Sequence, residues 1–380
     1  MLLYSIILCL AQSSTLEQPG PHQTDWQDIS MIDQNFSQGS IGARLYFPTS
    51  LLSEGPFPLV NFMHGWLGSP SNYDVLCQHI ASHGYVVAST SGTSGLFPDT
   101  VNYARDSRAI LHAISDAAAD PQSWFYGKVE TNSDWSSIGH SMGGATLGHM
   151  VAIEPRVSLV IGLQAAGVPS TRTSAMAAYT GAAFWISGSE DTTVRPSVVR
   201  NNFTKFTSAA RNFYMIGQGM GHSGPTDSGS NSDTMTRTTQ MDVHKRAVLV
   251  ALNAEMKDHD ADYEWLVGDG VTHSAPWSYE PVFTKPVLWG GEQPTALGIE
   301  MGVIGPASTQ TIVYGSLARV GDNIDVTLSR VILNSVISPQ GTMSWSQWLP
   351  LQYSGMTVYT QAVVLDGLNT TSKVLDILVP

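Results

Sequence analysis

Cysteine and basic residues are scarce in this chain, and both shortages restrict what it can be. Cys9 and Cys77 are its two cysteines, so one disulfide at most can form. Lys and Arg number 18 against 31 Asp and Glu, which gives a net charge of −13, and no basic run occurs. Such a surface repels phosphate backbones. Nucleic acid is therefore not an expected partner.

Long apolar runs are missing beyond the N-terminus, so no stable membrane insertion is expected. The chain starts with the mostly apolar MLLYSIILCL and then turns polar, which is typical of a bacterial-type secretory signal. We predict a signal peptide over residues 1–18, with Cys9-Leu10-Ala11 as a cleavage site, and an extracellular mature protein. An apolar N-terminal strand is the alternative. Once the leader is removed, Cys77 has no partner and is predicted to be buried.

Apolar segments alternate with helical ones between about residues 40 and 256. Buried strands are predicted at 59–63, 85–89, 135–138, 159–163, 183–187 and 212–216. Helices are predicted between and after them, among others at 72–84, 106–118 and 239–256. This alternation predicts an α/β domain with a mostly parallel sheet covered by helices on both faces.

The chain changes character from about residue 283. Segments such as NIDVTLSRV and MTVYTQAVVLD alternate apolar with polar residues, and no convincing helix follows. This pattern predicts a small C-terminal all-β, sandwich-like domain. The predicted domains are the α/β domain over residues 19–270 and the β-domain over 271–380.

The segment Gly139-His140-Ser141-Met142-Gly143 lies where a predicted strand becomes a predicted helix. A nucleophilic serine on such a turn needs unfavourable backbone angles, and flanking glycines avoid collisions across it. The N-terminus of the following helix adds free N–H groups and a positive dipole end. We predict that Ser141 is a nucleophile.

A serine nucleophile needs a base that a carboxylate orients. Asp191 follows one predicted strand and His222 follows the next, so both lie at the carboxyl edge of the sheet. Glu190 is the alternative to Asp191. His140 is adjacent to Ser141, and its side chain is expected to point away from the nucleophile.

An oxyanion hole needs two converging N–H donors. We assign the N–H of Met142, directly after the nucleophile, and that of Trp66 in the loop after an early strand. The Trp66 ring is expected to form a wall of the acyl pocket, with a buried core aromatic as the alternative.

Two patterns resemble metal sites but are incomplete. His79 and His83 have the spacing of helical ligands, yet no Glu lies between them and no third ligand is evident. The run DHDAD at 258–262 lacks the glycine and the terminal Glu of a calcium loop and is interpreted as a solvated helix end. No metal and no cofactor is expected.

Four segments, HGWLGSPSNYDVLCQHIASHGYVVAS, IGHSMGGATLG, ISGSEDTTVRP and GQGMGHSG, resemble the α/β-hydrolase branch of bacterial polyester hydrolases, cutinase-like esterases and chlorophyllase-like proteins. The resemblance covers about residues 40–268. It implies an α/β-hydrolase fold, with Ser141 as nucleophile, Asp191 as acid, His222 as base, and Met142 and Trp66 as oxyanion donors.

One segment departs from the resemblance. Polyester-degrading members carry a tryptophan shortly after the strand that precedes the acid, whereas here LQAAGVPSTRTS has no aromatic residue before Tyr179. The same connection, residues 164–182, is too short for a helical lid. An open site is therefore expected.

These observations predict a secreted monomeric serine ester hydrolase with a Ser-His-Asp triad and an acyl-enzyme intermediate. A cutinase-like or polyester substrate is the first expectation, and a short-chain or lipid ester is the alternative. A hypothesis of another class is a surface-binding protein with a secondary hydrolase domain, in which the β-domain binds a polymer or a cell surface.

Overall fold

The structure is a computed structural model of the chain. It describes residues 16–31, 40–92, 99–229, 233–268, 276–290, 299–325, 329–347, 356–368 and 370–378. The predicted cleavage site at Cys9-Leu10-Ala11 lies outside these residues.

A nine-stranded sheet forms the centre of the larger domain. Its strands are β1 (Thr24–Met31), β2 (Ile41–Pro48), β3 (Leu59–Met63), β4 (Val86–Thr90), β5 (Trp135–His140), β6 (Val157–Leu163), β7 (Ala182–Gly188), β8 (Arg211–Gly217) and β9 (Trp277–Phe283). Their spatial order is β1-β2-β4-β3-β5-β6-β7-β8-β9. Pairs among β3 to β8 are parallel, and the outer pairs are antiparallel. The predicted mostly parallel sheet is confirmed.

Helices cover both faces of this sheet. They are α1 (Asp74–Ser82), α2 (Thr100–Ala119), α3 (Met142–Ile153), α4 (Thr173–Ala178), α5 (Pro196–Phe203), α6 (Arg237–Met256) and α7 (Glu264–Val267), with short 3-10 turns at Thr49–Leu52, Pro70–Tyr73, Ser170–Arg172 and Asp260–Tyr263. Side chains of α1 and α6 pack into the core on one face, and those of α2, α3 and α5 pack on the other. None of the helices in the described ranges is long and apolar enough to cross a bilayer.

The six predicted buried strands all occur, each within two residues of its predicted bounds. They could be predicted because β3 to β8 are buried almost throughout, and most of them therefore consist largely of apolar residues. The exception is β5, WSSIGH, in which Trp135 and Ile138 are the large apolar side chains. Edge strand β1 was not predicted, since most of its residues are exposed and it has no apolar pattern.

The C-terminal region consists of antiparallel strands. They are β10 (Val287–Gly290), β11 (Ile299–Ile304), β12 (Gln310–Ser316), β13 (Arg319–Val320), β14 (Asn323–Ile324), β15 (Arg330–Val336), β16 (Thr342–Gln347), β17 (Thr357–Leu365), β18 (Thr370–Thr371) and β19 (Leu375–Leu378). They form a three-stranded, a five-stranded and a two-stranded sheet. Apolar side chains of the two larger sheets share one core. The predicted small β-domain is confirmed.

The large sheet extends past residue 270, because β9 pairs with β8. Trp289, on β10, also packs into the core of the α/β domain. At the same junction Lys373 Nζ lies 2.7 Å from Asp258 Oδ1 and donates to the carbonyl of Ala254 at 2.9 Å. The two regions therefore share apolar core and charged contacts.

The prediction that the run DHDAD is a solvated helix end holds for the exposed Asp258 and His259 but is wrong for residues 260–262, which are buried. Asp260 is 5% exposed, and both its oxygens accept hydrogen bonds at 2.8 Å from the buried guanidinium of Arg211. The nearly buried Asp262 accepts from Asn253 at 2.6 Å. Charge pairing with distant residues offsets the desolvation of these carboxylates, which sequence spacing does not reveal.

The last three residues of the predicted leader contact the α/β domain. The carbonyl of Leu16 accepts from His79 Nε2 at 2.8 Å, that of Gln18 accepts from His83 Nε2 at 3.0 Å, and Glu17 pairs with Arg246. Cys77 is buried as a free thiol, as predicted.

Candidate active site

Ser141 occupies a sharp turn between β5 and α3. Its backbone angles are φ 52° and ψ −114°, a conformation that L residues with a side chain rarely adopt. The strand that leads into the turn is buried, and the helix that follows begins one residue later. The strained elbow predicted at this position is present.

The glycines beside Ser141 permit this turn. A Cβ atom on Gly139 would lie 2.3 Å from the carbonyl oxygen of Gly143, and one on Gly143 would lie 2.1 Å from that of Met63. Both distances are far inside van der Waals contact. The turn therefore closes only where side chains are absent at both positions, as predicted.

His222 lies between Ser141 and Asp191. Its Nε2 is 3.0 Å from Ser141 Oγ, and its Nδ1 is 2.8 Å from Asp191 Oδ2. An ionised carboxylate can only accept a hydrogen bond, so Nδ1 carries the proton and Nε2 of the neutral ring is free to accept one from Ser141. The structure thus brings together the three predicted side chains in the arrangement of nucleophile, base and orienting acid.

Asp191 is held in place by the backbone. Its Oδ1 accepts hydrogen bonds from the N–H groups of Thr193 and Val194 at 2.9 and 2.7 Å, and the residue is 3% exposed. Glu190 is exposed and bonds instead to the N–H and hydroxyl of Thr234, and these bonds lower the pKa of its carboxyl. Of the two carboxylates, Asp191 alone contacts His222.

The two residues predicted as oxyanion donors belong to the elbow itself and to the loop that lies beside it. Met142 is the first residue of α3, so its N–H has no partner within the helix. The loop after β3 lies against Ser141, because a Cβ atom on Gly65 would be 3.3 Å from Ser141 Cβ. Trp66 follows Gly65 and is 53% exposed, so it is not the buried core aromatic of the alternative interpretation.

Sequence reasoning missed a polar layer beneath the site. Both ring nitrogens of His140 have partners other than Ser141: Nε2 lies 2.9 Å from the carbonyl oxygen of His222, and Nδ1 lies 2.7 Å from Tyr73 Oη. Behind His222, Gln164 bonds to the carbonyl of Gly221 at 3.4 Å. The residues of this layer are far apart in the sequence, and no local pattern marks them.

The connection between β6 and β7 contains the 3-10 turn Ser170–Arg172 and the six-residue helix α4, and no helical lid. Tyr179, the one aromatic residue of this connection, packs edge-on against Phe206 at a centroid distance of 5.5 Å. Its hydroxyl bonds to the carbonyl of Ala182, at the start of β7 and away from the carboxyl edge. Residues 164–182 thus place no aromatic side chain beside Ser141.

Metal-ligating clusters do not occur within the described ranges. No three His, Cys, Asp or Glu side chains there are arranged to hold an ion. His79 and His83 lie with their rings 4.9 Å apart, and each bonds to a backbone carbonyl of the N-terminal segment.

Comparison with known proteins supports the same branch. The family described as "PETase: PET hydrolase-like" matches residues 11–248. Chlorophyllase-1 of Arabidopsis thaliana is 31% identical over 119 residues, which are 29% of this chain and 35% of that protein. Chlorophyllase-2 of the same plant is 30% identical over 96 residues, 25% of this chain and 29% of that protein. The matched stretches thus span about a third of the length of these relatives. The predicted resemblance to a polyester hydrolase and chlorophyllase-like branch is confirmed.

Proposed function

This chain belongs to the PET hydrolase-like family, and we propose that it is a serine carboxylic ester hydrolase of the cutinase and polyester-hydrolase type. One observation carries the proposal: His222 bonds to both of the other side chains. Its Nε2 lies 3.0 Å from Oγ of Ser141, which occupies the strained elbow, and its Nδ1 lies 2.8 Å from Asp191 Oδ2. Nucleophilic ester cleavage is the chemistry that this arrangement favours.

Acylation begins when Ser141 Oγ attacks the ester carbonyl carbon while His222 Nε2 takes the hydroxyl proton. Asp191 stabilises the imidazolium through the Nδ1–H bond. The N–H groups of Met142 and Trp66 donate to the oxyanion. The ester C–O bond then breaks, His222 returns the proton to the departing alcohol, and the acyl group remains on Ser141.

Deacylation repeats these steps with water. His222 takes a proton as the water oxygen attacks the acyl carbon, and the same two N–H groups stabilise the second oxyanion. Ser141 Oγ leaves and regains its proton from His222. The products are one carboxylic acid and one alcohol, and the enzyme needs no redox partner or added cofactor.

An apolar or polymeric ester fits the surroundings of Ser141 best. Trp66 and Leu67 are 53% and 66% exposed in the loop beside the nucleophile, so they offer apolar surface to a substrate that approaches from solvent. The connection over residues 164–182 holds no helical lid. Because it also places no aromatic side chain at the site, we expect aliphatic polyesters to be cleaved faster than aromatic ones. Chlorophyll, which the names of the two plant relatives indicate, is the second candidate substrate.

We further propose that the protein is exported and that its leader is cleaved after Ala11, which is inside the predicted 1–18 segment, so that residues 12–18 stay on the mature chain. Cleavage there would leave the contacts of Leu16, Glu17 and Gln18 with the α/β domain in place. N-terminal sequencing of protein recovered from the culture medium is expected to begin at Gln12. A mature chain that begins at Pro19 would contradict this site.

Hydrolysis of p-nitrophenyl esters from acetate to palmitate, with aliphatic and aromatic polyester films and chlorophyll in parallel, tests the proposed activity. Ser141→Ala should lower kcat by roughly 10⁴- to 10⁶-fold. The profile of the wild-type protein over these substrates then separates polymer, short-chain and chlorophyll hydrolysis. If the wild type is no faster than Ser141→Ala on any ester, the proposed activity is wrong. Adsorption of the inactive variant to polymer particles would then favour the surface-binding hypothesis.

A further inference from the structure

Two buried side chains connect the loops on either side of the candidate site. Tyr73 and His140 are 2% and 4% exposed, and Tyr73 Oη lies 2.7 Å from His140 Nδ1. The Tyr73 hydroxyl also accepts a hydrogen bond from the N–H of Gly65 at 2.9 Å, and His140 Nε2 lies 2.9 Å from the carbonyl oxygen of His222. One continuous chain of hydrogen bonds therefore runs from Gly65 to His222.

Elementary hydrogen-bond chemistry fixes the direction of every bond in this chain. The carbonyl oxygen of His222 can only accept, so His140 Nε2 must carry a proton. Burial, reinforced by the nearby His222, lowers the pKa of His140 to about 3, so the ring is neutral and its Nδ1 must accept. Tyr73 therefore donates its one proton to Nδ1, and its oxygen accepts from Gly65. Each donor and each acceptor in this series of hydrogen bonds therefore has one possible role.

This series of hydrogen bonds joins the parts of the site that must keep a fixed separation. Gly65 directly precedes Trp66, the proposed oxyanion donor, and His222 is the proposed base. His140 directly precedes the nucleophile. Gly65 is packed tightly against this pair, because a Cβ atom on it would lie 3.0 Å from His140 Nδ1 and 3.3 Å from Tyr73 Oη. A shift of either loop would have to break a buried hydrogen bond.

We propose that Tyr73 and His140 are positioning residues. They fix the distance between the loop that contains Gly65 and Trp66 and the base His222, on either side of Ser141. The proposal rests on the proposed ester hydrolysis. Neither side chain contacts the reacting atoms, and both act through the backbone of Gly65 and His222. The alternative is a buried polar pair that contributes to folding alone.

Tyr73→Phe removes one hydroxyl and keeps the ring. The N–H of Gly65 and Nδ1 of His140 then lose their partners, so kcat on p-nitrophenyl acetate should fall by about tenfold or more with little change in KM. Tyr85→Phe is the matched control, because the equally buried Tyr85 donates one bond, to Asn253 Oδ1 at 2.7 Å, away from the site. An equal effect of the two substitutions on kcat would overturn the proposal.

Two substitutions of His140 separate its two bonds. Gln places an amide near the position of Nε2 and can still donate to His222, whereas Asn ends near the position of Nδ1 and cannot reach that carbonyl. His140→Gln should therefore retain at least about tenfold more kcat than His140→Asn. Equal kcat values in two folded variants would contradict a role that acts through His222.

Nitrogen-15 NMR of the histidine rings tests the hydrogen-bond chain without any substrate. His140, identified by the loss of its signals in His140→Asn, should show a protonated Nε2 and an unprotonated Nδ1 from pH 7 down to pH 5. Tyr73→Phe should shift the Nδ1 signal. A protonated Nδ1 at pH 7 would overturn the proposal. If the NMR result holds but the wild type hydrolyses no ester, the proposed function fails and the hydrogen-bond chain stands.

Discussion

The Nε2 atom of His222 lies 3.0 Å from the Oγ atom of Ser141, although 81 positions separate the two residues in the sequence. The sheet creates this proximity, because the elbow after β5 and the loop after β8 both lie at the carboxyl edge of parallel strands. Asp191, after β7, completes the set from the same edge.

Asp191 rather than Glu190 should support catalysis. Asp191→Asn leaves an amide that cannot hold the His222 ring in the required tautomer, so kcat should fall by about 10⁴-fold. Glu190→Gln should change kcat by less than about threefold, because Glu190 contacts Thr234 and not His222. Steady-state kinetics on p-nitrophenyl butyrate decide between them, and a larger loss in Glu190→Gln would reverse the assignment.

Gly143→Ala should disrupt the elbow. Its Cβ atom would lie 2.1 Å from the carbonyl oxygen of Met63, so backbone must move, with a loss of about 1–3 kcal/mol in the free energy of unfolding and most of the activity. Gly167→Ala is the control, since its nearest neighbour would be 3.6 Å away. Urea unfolding measures both variants. Wild-type activity in Gly143→Ala would show that the turn tolerates a side chain.

Leu67→Asn should separate binding of apolar surfaces from chemistry. Leu67 is 66% exposed at a φ of 58°, a left-handed conformation that Asn adopts more readily, so the variant should be at least as stable as the wild type. Activity on soluble p-nitrophenyl acetate should stay unchanged. Adsorption to an aliphatic polyester film should decrease. Unchanged adsorption would exclude Leu67 from substrate contact.

Stability should fall as the pH drops from 6.5 towards 5. Burial lowers the pKa of His140 to about 3 and those of His79 and His244 to about 4. These rings stay neutral in the folded protein while the unfolded chain takes up protons near pH 6.5, so unfolding should bind about three protons at pH 5. The measurement is the free energy of unfolding in urea at pH 7, 6 and 5. Equal values at pH 7 and pH 5 would contradict the buried neutral rings.

The parts of the fold that could be predicted are those with a local signature. Strands β3, β4, β6, β7 and β8 consist mostly of apolar residues, and the glycines around Ser141 mark the elbow because no side chain fits there. The order of Ser141, Asp191 and His222 then follows from the order of the strands.

What could not be predicted depends on contacts between distant residues. The sequence predicts a solvated Asp260 because its partner Arg211 is 49 positions away. The bond between Tyr73 and His140 is missed for the same reason, since 67 positions separate them. The alternating sequence of β9, WSYEPVF, also does not reveal that this strand extends the large sheet beside β8. Burial and pairing in three dimensions decide each of these cases.

Covalent trapping of the acyl-enzyme tests the central claim most directly. The protein is incubated with a fluorophosphonate, which mimics the ester and stays attached to an activated serine, and the modified residue is identified by peptide mass mapping. The account predicts one adduct, on Ser141, at a rate that Asp191→Asn lowers and Glu190→Gln does not. An adduct on another residue, or none on the folded wild-type protein, would contradict it.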